Sequence, residues 1–216
     1  MPIILHKDIE NGEIGLWAIS EAPEELELLA CLSPADSLTY STITALHRKK
    51  EWLATRALLN ALTGEPNLIN YHNNGRPYLD NAKIQISISH TIGFVAIMLH
   101  QTSLPGIDIE LATRQVSKVA SRFLSPEEYE VCRSNGGFLN RKLLLHWCAK
   151  EAIFKMVPFS DIEFSKDILI KLSDSIQDSG SLQGLFIAKP EPIPIALRYL
   201  ERDGVIMVWG STDEFG

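Results

Sequence analysis

Residues from about 139 to 157 form the stretch that most restricts how this chain can fold. They are predicted to form one long helix that ends before Pro158, because proline cannot continue a helix. Apolar side chains occupy nearly every side of it, namely Leu143, Leu144, Leu145, Trp147, Ile153 and Phe154. Because a helix that is apolar all round is buried, the other elements must enclose it, and any charged residue on it needs a partner in the interior.

The rest of the chain mixes helix and strand patterns. In the first half, strands are predicted near residues 2–6, 14–19, 83–89 and 93–100, and helices near 23–31 and 41–62. In the second half, a strand near 106–111 precedes helices near 116–123, 126–132 and 139–157, and further strands near 167–172, 182–188, 195–200 and 205–209. This order predicts an α+β fold.

A weak internal repeat connects the two halves. Residues 52–59 align with residues 147–154 at an offset of 147 − 52 = 95, and one Trp and two Ala residues coincide. The match is either the trace of a duplicated α+β unit or the apolar spacing that amphipathic helices share. A duplication predicts a seam near residues 100–112 and a ligand in the cleft between two similar halves.

Charge and composition exclude several function classes. The 216 residues include 27 acidic and 20 basic side chains, a net charge of −7, so nonspecific binding to nucleic acid or to an anionic membrane is not expected. The first apolar stretch is interrupted at His6 and Lys7, and no apolar run reaches about 18 residues, so neither a signal peptide nor a membrane span is predicted. Three widely spaced cysteines favour free thiols in a reducing compartment, and we expect a cytoplasmic protein.

Asp108 and Glu110 are the first candidates for chemistry. They are two residues apart on a predicted strand, so both carboxylates project from one face. Two such groups repel each other unless a cation joins them, and Mg²⁺ takes oxygen ligands of this kind. The alternative is the solvated polar face of an edge strand.

The long helix carries a second candidate set. Trp147, Glu151 and Lys155 recur every four residues on one stripe, and Lys150 lies beside them. One interpretation is a surface ion pair between Glu151 and Lys155. Because the helix is apolar nearly all round, the other is that these charges bind metal or phosphate or pair with one another.

Two further groups suit a ligand. Ser89 and His90 end a predicted strand at a tight turn, where they can either point at a ligand or cap the turn. Arg48 and Arg56 share a stripe of the first long helix, and Arg76 follows in a loop. These arginines can bind phosphate and stack on adenine, or they can form a solvated helix face.

Arg114, Lys118 and Arg122 form a third basic group. Their spacing of four residues predicts one helical stripe directly after the strand of Asp108 and Glu110. In an acidic chain, a local positive stripe suggests docking of an acidic protein. An ordinary charged helix face is the alternative.

Together these motifs resemble those of the 4′-phosphopantetheinyl transferase superfamily, in particular the pseudo-dimeric type of the surfactin synthetase activator. The matching segments are RKKEWLATRALL at 48–59, GRP at 75–77, SH at 89–90, GIDIE at 106–110, FLSPEE at 123–128 and WCAKEAIFK at 147–155. The combination of GIDIE with WCAKEAIFK is the most specific. Thr55 stands where many relatives have Gly, and Arg76 where Lys is commoner.

The resemblance implies an architecture and a reaction. Two similar α+β subdomains, residues 1–104 and 105–216, would be related by pseudo-twofold symmetry, with the active site in the cleft between them. The enzyme, expected to be a monomer, would move 4′-phosphopantetheine from coenzyme A to a serine hydroxyl of an acyl or peptidyl carrier protein. Adenosine 3′,5′-bisphosphate would be released.

The resemblance also implies a role for most of the candidate residues. Asp108, Glu110 and Glu151 would hold Mg²⁺, and Glu151 would act as the base, assisted by Lys155 and His90. The residues that would contact coenzyme A are Arg48, Arg56, Arg76, Ser89, His90, Lys150 and Lys155. On the charge argument above, and not on the resemblance, Arg114, Lys118 and Arg122 would dock the carrier protein.

Two other functions stay open on the residues alone. An acidic pair with a glutamate and a lysine also builds metal-dependent phosphodiesterases and nucleases, although the acidic net charge disfavours a nucleic-acid substrate. A catalytically silent module that binds carrier proteins is disfavoured because Asp108, Glu110, Glu151 and Lys155 are all present.

Overall fold

The computed structural model describes residues 3–80, 83–134, 139–173, 176–187 and 191–215. The chain divides into two units, Met1–Thr102 and Ser103–Gly216. The expected boundary lies two residues later, between residues 104 and 105. Both units combine helices with antiparallel sheets, so the predicted α+β class is confirmed. No helix in the described part of the chain has the length and apolar content needed to cross a membrane.

The first unit is built on a four-stranded antiparallel sheet. Its elements are β1 (Ile3–Ile9), β2 (Gly12–Ala18), α1 (Pro23–Ala30), α2 (Pro34–Thr42), α3 (Leu46–Thr63), β3 (Ile69–Tyr71), β4 (Pro77–Leu79), β5 (Gln85–Thr91) and β6 (Phe94–His100). The strand order is β1–β2–β6–β5, and β3 pairs with β4 in a separate small sheet. Leu53, Leu58 and Leu59 of α3 share a core with Val95 and Ile97 of β6.

The second unit encloses the long apolar helix. Its elements are β7 (Leu104–Leu111), the 3₁₀ helix η1 (Ser117–Arg122), α4 (Pro126–Ser134), α5 (Leu139–Met156), α6 (Phe164–Asp167), β8 (Ile168–Lys171), β9 (Ser179–Phe186), β10 (Ile193–Arg202) and β11 (Val205–Thr212). The sheet order is β7–β11–β10–β9–β8, antiparallel throughout. The predicted buried helix is confirmed as α5, in which Leu144, Ala149, Ala152 and Ile153 are fully buried.

The central helix and strands follow one another in the same order in both units. In the first, β2 leads to α3 and then to β5 and β6, and the strands lie in the order β2–β6–β5. In the second, β7 leads to α5 and eventually to β10 and β11, in the order β7–β11–β10. Both helices contain 18 residues, and they carry Trp52 and Trp147, the tryptophans of the weak repeat. This shared topology favours a duplicated unit over coincidental apolar spacing.

Three local predictions for the described residues need correction. The first strong helix begins at Leu46 rather than near residue 41, because a separate helix, α2, occupies the preceding residues. The side chain of Ser33 caps α2 by accepting a hydrogen bond from the Asp36 amide at 3.0 Å. β3 and β4 are additional strands that the sequence did not predict, because three residues each are too few for an alternating pattern. The segment expected as a helix at 116–123 is a 3₁₀ helix.

Close contact between α5 and β7 requires glycine at position 106. A Cβ atom there would overlap the backbone carbonyl oxygen of Ala152 on α5 and lie 2.8 Å from the Met156 side chain. A carbonyl held in a helix cannot move aside as a side chain can. The glycine of the GIDIE segment therefore lets the helix approach the strand that carries Asp108 and Glu110.

We predict that Gly106→Ala lowers the free energy of unfolding by about 1–3 kcal/mol, because overpacking forces α5 away from β7. Urea denaturation measures this change. Gly180→Ala in β9 is the matched control, since its added Cβ would meet the ring of Tyr199 rather than backbone, and its cost is expected to be smaller. Equal losses in the two variants would contradict this account of Gly106.

Candidate active site in the second unit

Alternation along β7 places Asp108 and Glu110 on one face of the strand, as predicted. Both residues are buried, at 6% and 7% exposure. Two buried carboxylates on one face need positive partners, because an unpaired buried charge is costly. The structure supplies a separate cation to each.

Lys155 of α5 is the cation of Asp108. Its Nζ lies 2.8 Å from the Asp108 Oδ1 and also donates to the Ile107 carbonyl at 2.8 Å. The helix thereby holds this ammonium group against the strand by two bonds.

Glu110 is bound by a tryptophan and an arginine. The Trp147 Nε1–H donates to the Glu110 Oε1 at 3.1 Å, and Arg114 forms an ion pair with the same oxygen. The Arg114 guanidinium carbon also lies 5.4 Å from the centre of the Trp147 ring, within the range of a cation–π contact.

Glu151 lies on the same helix, half-buried near these groups. Burial, and then the negative charge of Asp108, raise the pKa of Glu151 to about 7, while the positive charges of Lys155 and Arg114 oppose that rise. A carboxyl group with a pKa in this range exchanges a proton near neutral pH, which suits general acid–base chemistry.

The three acids expected to hold Mg²⁺ therefore lie in one region but are not arranged as a metal centre. Among the described residues, no group of three His, Cys, Asp or Glu side chains converges in that way. Internal cations neutralise two of the acids instead. The donor set itself fits a hard divalent ion, since it consists of carboxylates carried by a strand and a buried helix.

Lys150 has a different environment from the phosphate contact expected for it. Its side chain is fully buried, and its Nζ lies 2.6 Å from the Glu128 Oε2 and donates to the Phe164 and Ile168 carbonyls at 3.0 and 2.7 Å. An ammonium group has three hydrogens, so these three acceptors use all of them. The geometry thus gives Lys150 a structural role.

Glu128 ties that lysine to two elements. Its Oε2 accepts from the Ser125 amide at 2.8 Å, while the Glu128 amide donates to the Ser125 Oγ at 3.2 Å, a capping box at the start of α4. Its Oε1 accepts from the Ile170 amide of β8 at 2.7 Å. The sequence alone did not distinguish catalysis from capping for Glu128, and the structure favours capping and charge pairing.

In the first unit, α3 and β5 bring two expected residues together around an acid. Arg48 Nη1 and His90 Nδ1 each lie 3.9 Å from the Glu51 Oε2. Both basic side chains are substantially exposed, whereas Ser89 is buried in β5. Glu51 was not among the predicted site residues, because its place beside Arg48 on a helix indicates only a surface pair.

The other two arginines of this unit differ from each other. Arg56 is buried, with its Nε 2.6 Å from the Asp36 Oδ1 and its guanidinium stacked 3.2 Å above the Trp52 ring. Burial lowers the pKa of Arg76. Its Nη2 is buried and, within the described residues, has no hydrogen-bond partner. Arg76 thus keeps a donor for a ligand, whereas Arg56 is engaged within the fold.

Arg56 and Lys150 belong to the same kind of buried ion pair, which occurs in both units. Each long helix carries a buried cation, and each cation pairs with an acid three residues after a serine that caps a short preceding helix. The two short helices begin with Ser-Pro-Ala-Asp at 33–36 and Ser-Pro-Glu-Glu at 125–128. The sequence contained this second repeat, but only the ion pairs reveal its meaning.

The three residues expected to dock a carrier protein are separated by the structure. Arg114 precedes η1 and pairs with Glu110, whereas Lys118 and Arg122 are exposed on η1. A 3₁₀ helix has three residues per turn, so residues four apart do not share one stripe. The predicted stripe of Arg114, Lys118 and Arg122 is therefore wrong in its geometry.

Comparison with known proteins supports the predicted resemblance. Residues 105–202 match the family model described as the 4′-phosphopantetheinyl transferase superfamily. Over this segment the chain is similar to that superfamily. It is also 29% identical over 163 residues to the 4′-phosphopantetheinyl transferase HetI of Nostoc sp., an alignment that covers 67% of this chain and 68% of that protein. The predicted resemblance to this superfamily and the enzyme class are confirmed, and the surfactin-activator subtype stays a prediction.

In this transferase, we predict that Glu128→Gln lowers the free energy of unfolding by about 3–5 kcal/mol, because it leaves the Lys150 charge buried without a counter-charge. Denaturant unfolding of Glu128→Gln, Lys150→Met and the double variant measures the coupling. The double variant is expected to be more stable than the sum of the two losses predicts.

Glu163→Gln is the matched control for that pair. Glu163 forms an ion pair with Lys166 at 2.8 Å, but both side chains are exposed, so its loss is expected to leave stability nearly unchanged. Additive losses at Glu128 and Lys150 would argue against a coupled buried pair.

Proposed function

We propose that this transferase moves the 4′-phosphopantetheine group of coenzyme A to a serine hydroxyl of an acyl or peptidyl carrier protein, with Mg²⁺ as its cofactor and adenosine 3′,5′-bisphosphate as the other product. The observation that carries the proposal is that β7 and α5 bring Asp108, Glu110, Glu151 and Lys155 into one region. Phosphoryl transfer depends mainly on positioned charges, and this region contains both signs.

Asp108, Glu110 and Glu151 would hold the Mg²⁺ ion. When bound, the metal would offset the negative charge of the pyrophosphate and polarise the phosphoryl group under attack. The chain itself supplies two rigid supports for these ligands. The strand fixes Asp108 and Glu110, and the packing of α5 over Gly106 fixes Glu151.

Glu151 would accept the proton of the attacking serine hydroxyl. Its carboxyl group is half-buried on α5, within electrostatic reach of Asp108 and Lys155. The hydroxyl loses its proton as the oxygen bonds to phosphorus, so a base within hydrogen-bond reach lowers the barrier.

Lys155 would stabilise the departing nucleotide phosphate. Its Nζ holds the Asp108 Oδ1 and the Ile107 carbonyl, and its side chain is 26% exposed, so a phosphate oxygen can reach it from solvent. Charge grows on the leaving oxygen during transfer, and a fixed ammonium group offsets it.

Residues of the first unit would bind the nucleotide portion of coenzyme A. Arg48 and His90 are exposed, and Arg76 has a buried donor with no partner in the described part of the chain. Ser89 and His90 would contact phosphate, and Arg48 and Arg76 the 3′-phosphoadenosine. We leave Arg56 and Lys150 out of this set because buried ion pairs occupy them.

The direct experiment incubates the protein with coenzyme A, MgCl₂ and an apo carrier protein, and measures the mass of the carrier. We expect a gain of one phosphopantetheine group, and Glu151→Gln is expected to lower kcat about 100- to 10,000-fold because the base is lost. Glu130→Gln, at an exposed position on α4, is the matched control.

The outcomes separate this function from its competitors. Tight carrier binding without any mass gain would favour a silent binding module. Mg²⁺-dependent cleavage of a phosphodiester with no carrier product would favour a phosphodiesterase. A fully active Glu151→Gln variant would remove Glu151 as the base and leave the transferase assignment standing.

Lys118 and Arg122 are the exposed residues that we propose dock an acidic carrier surface. Reversing both, Lys118→Glu with Arg122→Glu, is expected to raise the KM for the carrier several-fold, leave the KM for coenzyme A unchanged and weaken the salt dependence. Lys166→Glu with Lys171→Glu, at exposed positions on α6 and β8, makes the same change of charge as a control. Identical carrier kinetics in the two double variants would rule out docking through η1.

A further inference from the structure

Among the three expected metal ligands, Glu110 has the carboxylate oxygen with the most donors in the described contacts. Its Oε1 accepts the Trp147 Nε1–H and pairs with the Arg114 guanidinium. A carboxylate oxygen has two lone pairs, so these two donors occupy both of them. A metal ion that binds at this oxygen must displace one donor.

Arg114 is the donor that can move. Trp147 is partly buried and packs against the core, with its ring edge-on to Phe123 at a centroid distance of 5.3 Å and near Phe164 at 6.2 Å. The Arg114 side chain is 46% exposed, so it can rotate into water without opening the core.

The backbone around Arg114 stays fixed when the side chain rotates. The Arg114 amide donates to the Leu111 carbonyl at 2.9 Å, and its carbonyl accepts from the Asn140 Nδ2 at 3.0 Å. Release of the guanidinium therefore needs only side-chain rotation. Trp147 would keep the Glu110 carboxylate in place meanwhile.

Lys155 differs from Arg114 in this respect. It holds Asp108 but is also bound to the Ile107 carbonyl, and it is only 26% exposed. The guanidinium is thus the more readily released of the two internal cations.

We propose that Arg114 is an internal counter-cation of Glu110, which Mg²⁺ displaces when it binds. The proposal rests on the function proposed above, in which Glu110 holds the metal. Without metal, Arg114 offsets the charge of the buried carboxylate and keeps β7 stable. With metal, the same positive charge would repel the ion and compete for the same oxygen. Arg114 thus sets the Mg²⁺ concentration at which the site fills.

Titration of the full-length protein with MgCl₂ alone, followed by calorimetry, tests this without any turnover. Arg114→Gln is expected to bind Mg²⁺ roughly three- to tenfold more tightly than Arg122→Gln, which removes the same charge from a nearby exposed position. Arg114→Lys keeps the charge and is expected to lie close to the unchanged protein. A dissociation constant for Arg114→Gln equal to or weaker than that of Arg122→Gln would overturn the proposal.

Thermal unfolding gives a second readout. Without Mg²⁺, Arg114→Gln is expected to melt at a lower temperature than the unchanged protein, because Glu110 loses its counter-charge. At saturating Mg²⁺ the difference in Tm should shrink. A ligand raises Tm more for the protein that binds it more tightly, and here that protein is Arg114→Gln. A merely structural role would lower Tm equally with and without metal, which would also overturn the proposal.

Failure of this inference can be told apart from failure of the proposed function. If the unchanged protein neither binds Mg²⁺ nor modifies a carrier, the proposed function fails and this inference fails with it. If it does both, and Arg114→Gln matches its control, only the role of Arg114 is overturned.

Discussion

The packing of α5 against β7 determines where the charged groups of the candidate site lie. The helix is buried because its apolar side chains surround it, and it approaches the strand closely because residue 106 lacks a side chain. That short separation lets Lys155 reach Asp108 and Trp147 reach Glu110. A wider gap would leave Asp108 buried without its counter-charge and Glu110 without its tryptophan donor. The fold and the chemistry of this unit thus depend on one helix–strand contact.

The cations of the protein serve two different purposes. Arg56 and Lys150 are almost completely buried. Each forms an ion pair with one acid, and in the described contacts that acid has no other cationic partner. These two cations therefore stabilise the fold. Lys155 and Arg114 are partly exposed and pair with the buried acids of β7, so a ligand can compete with them. Exposure therefore separates these two groups of basic residues, whereas residue type and spacing do not.

Sequence periodicity predicted the elements whose signal is local. α5, the strand of Asp108 and Glu110 and the order of the later strands followed from apolar spacing and from proline and glycine positions. The buried charge on α5 was also evident, but not its partner. Glu128 lies 22 residues before Lys150, and Asp36 lies 20 before Arg56, so no helical period connects them. The stripe through Arg114 failed because spacing alone cannot distinguish a 3₁₀ helix from an α-helix.

The recurring Ser-Pro start of α2 and α4 has a consequence for synthesis of the chain. In each unit, the acid that pairs with the buried cation of the long helix is translated shortly before that helix. Asp36 therefore leaves the ribosome ahead of Arg56, and Glu128 ahead of Lys150. Each long helix therefore finds its counter-ion already present on the nascent chain when it forms, and Lys150 gains its two carbonyl partners later. In each unit, the buried cation of the long helix is paired with an acid of the same unit.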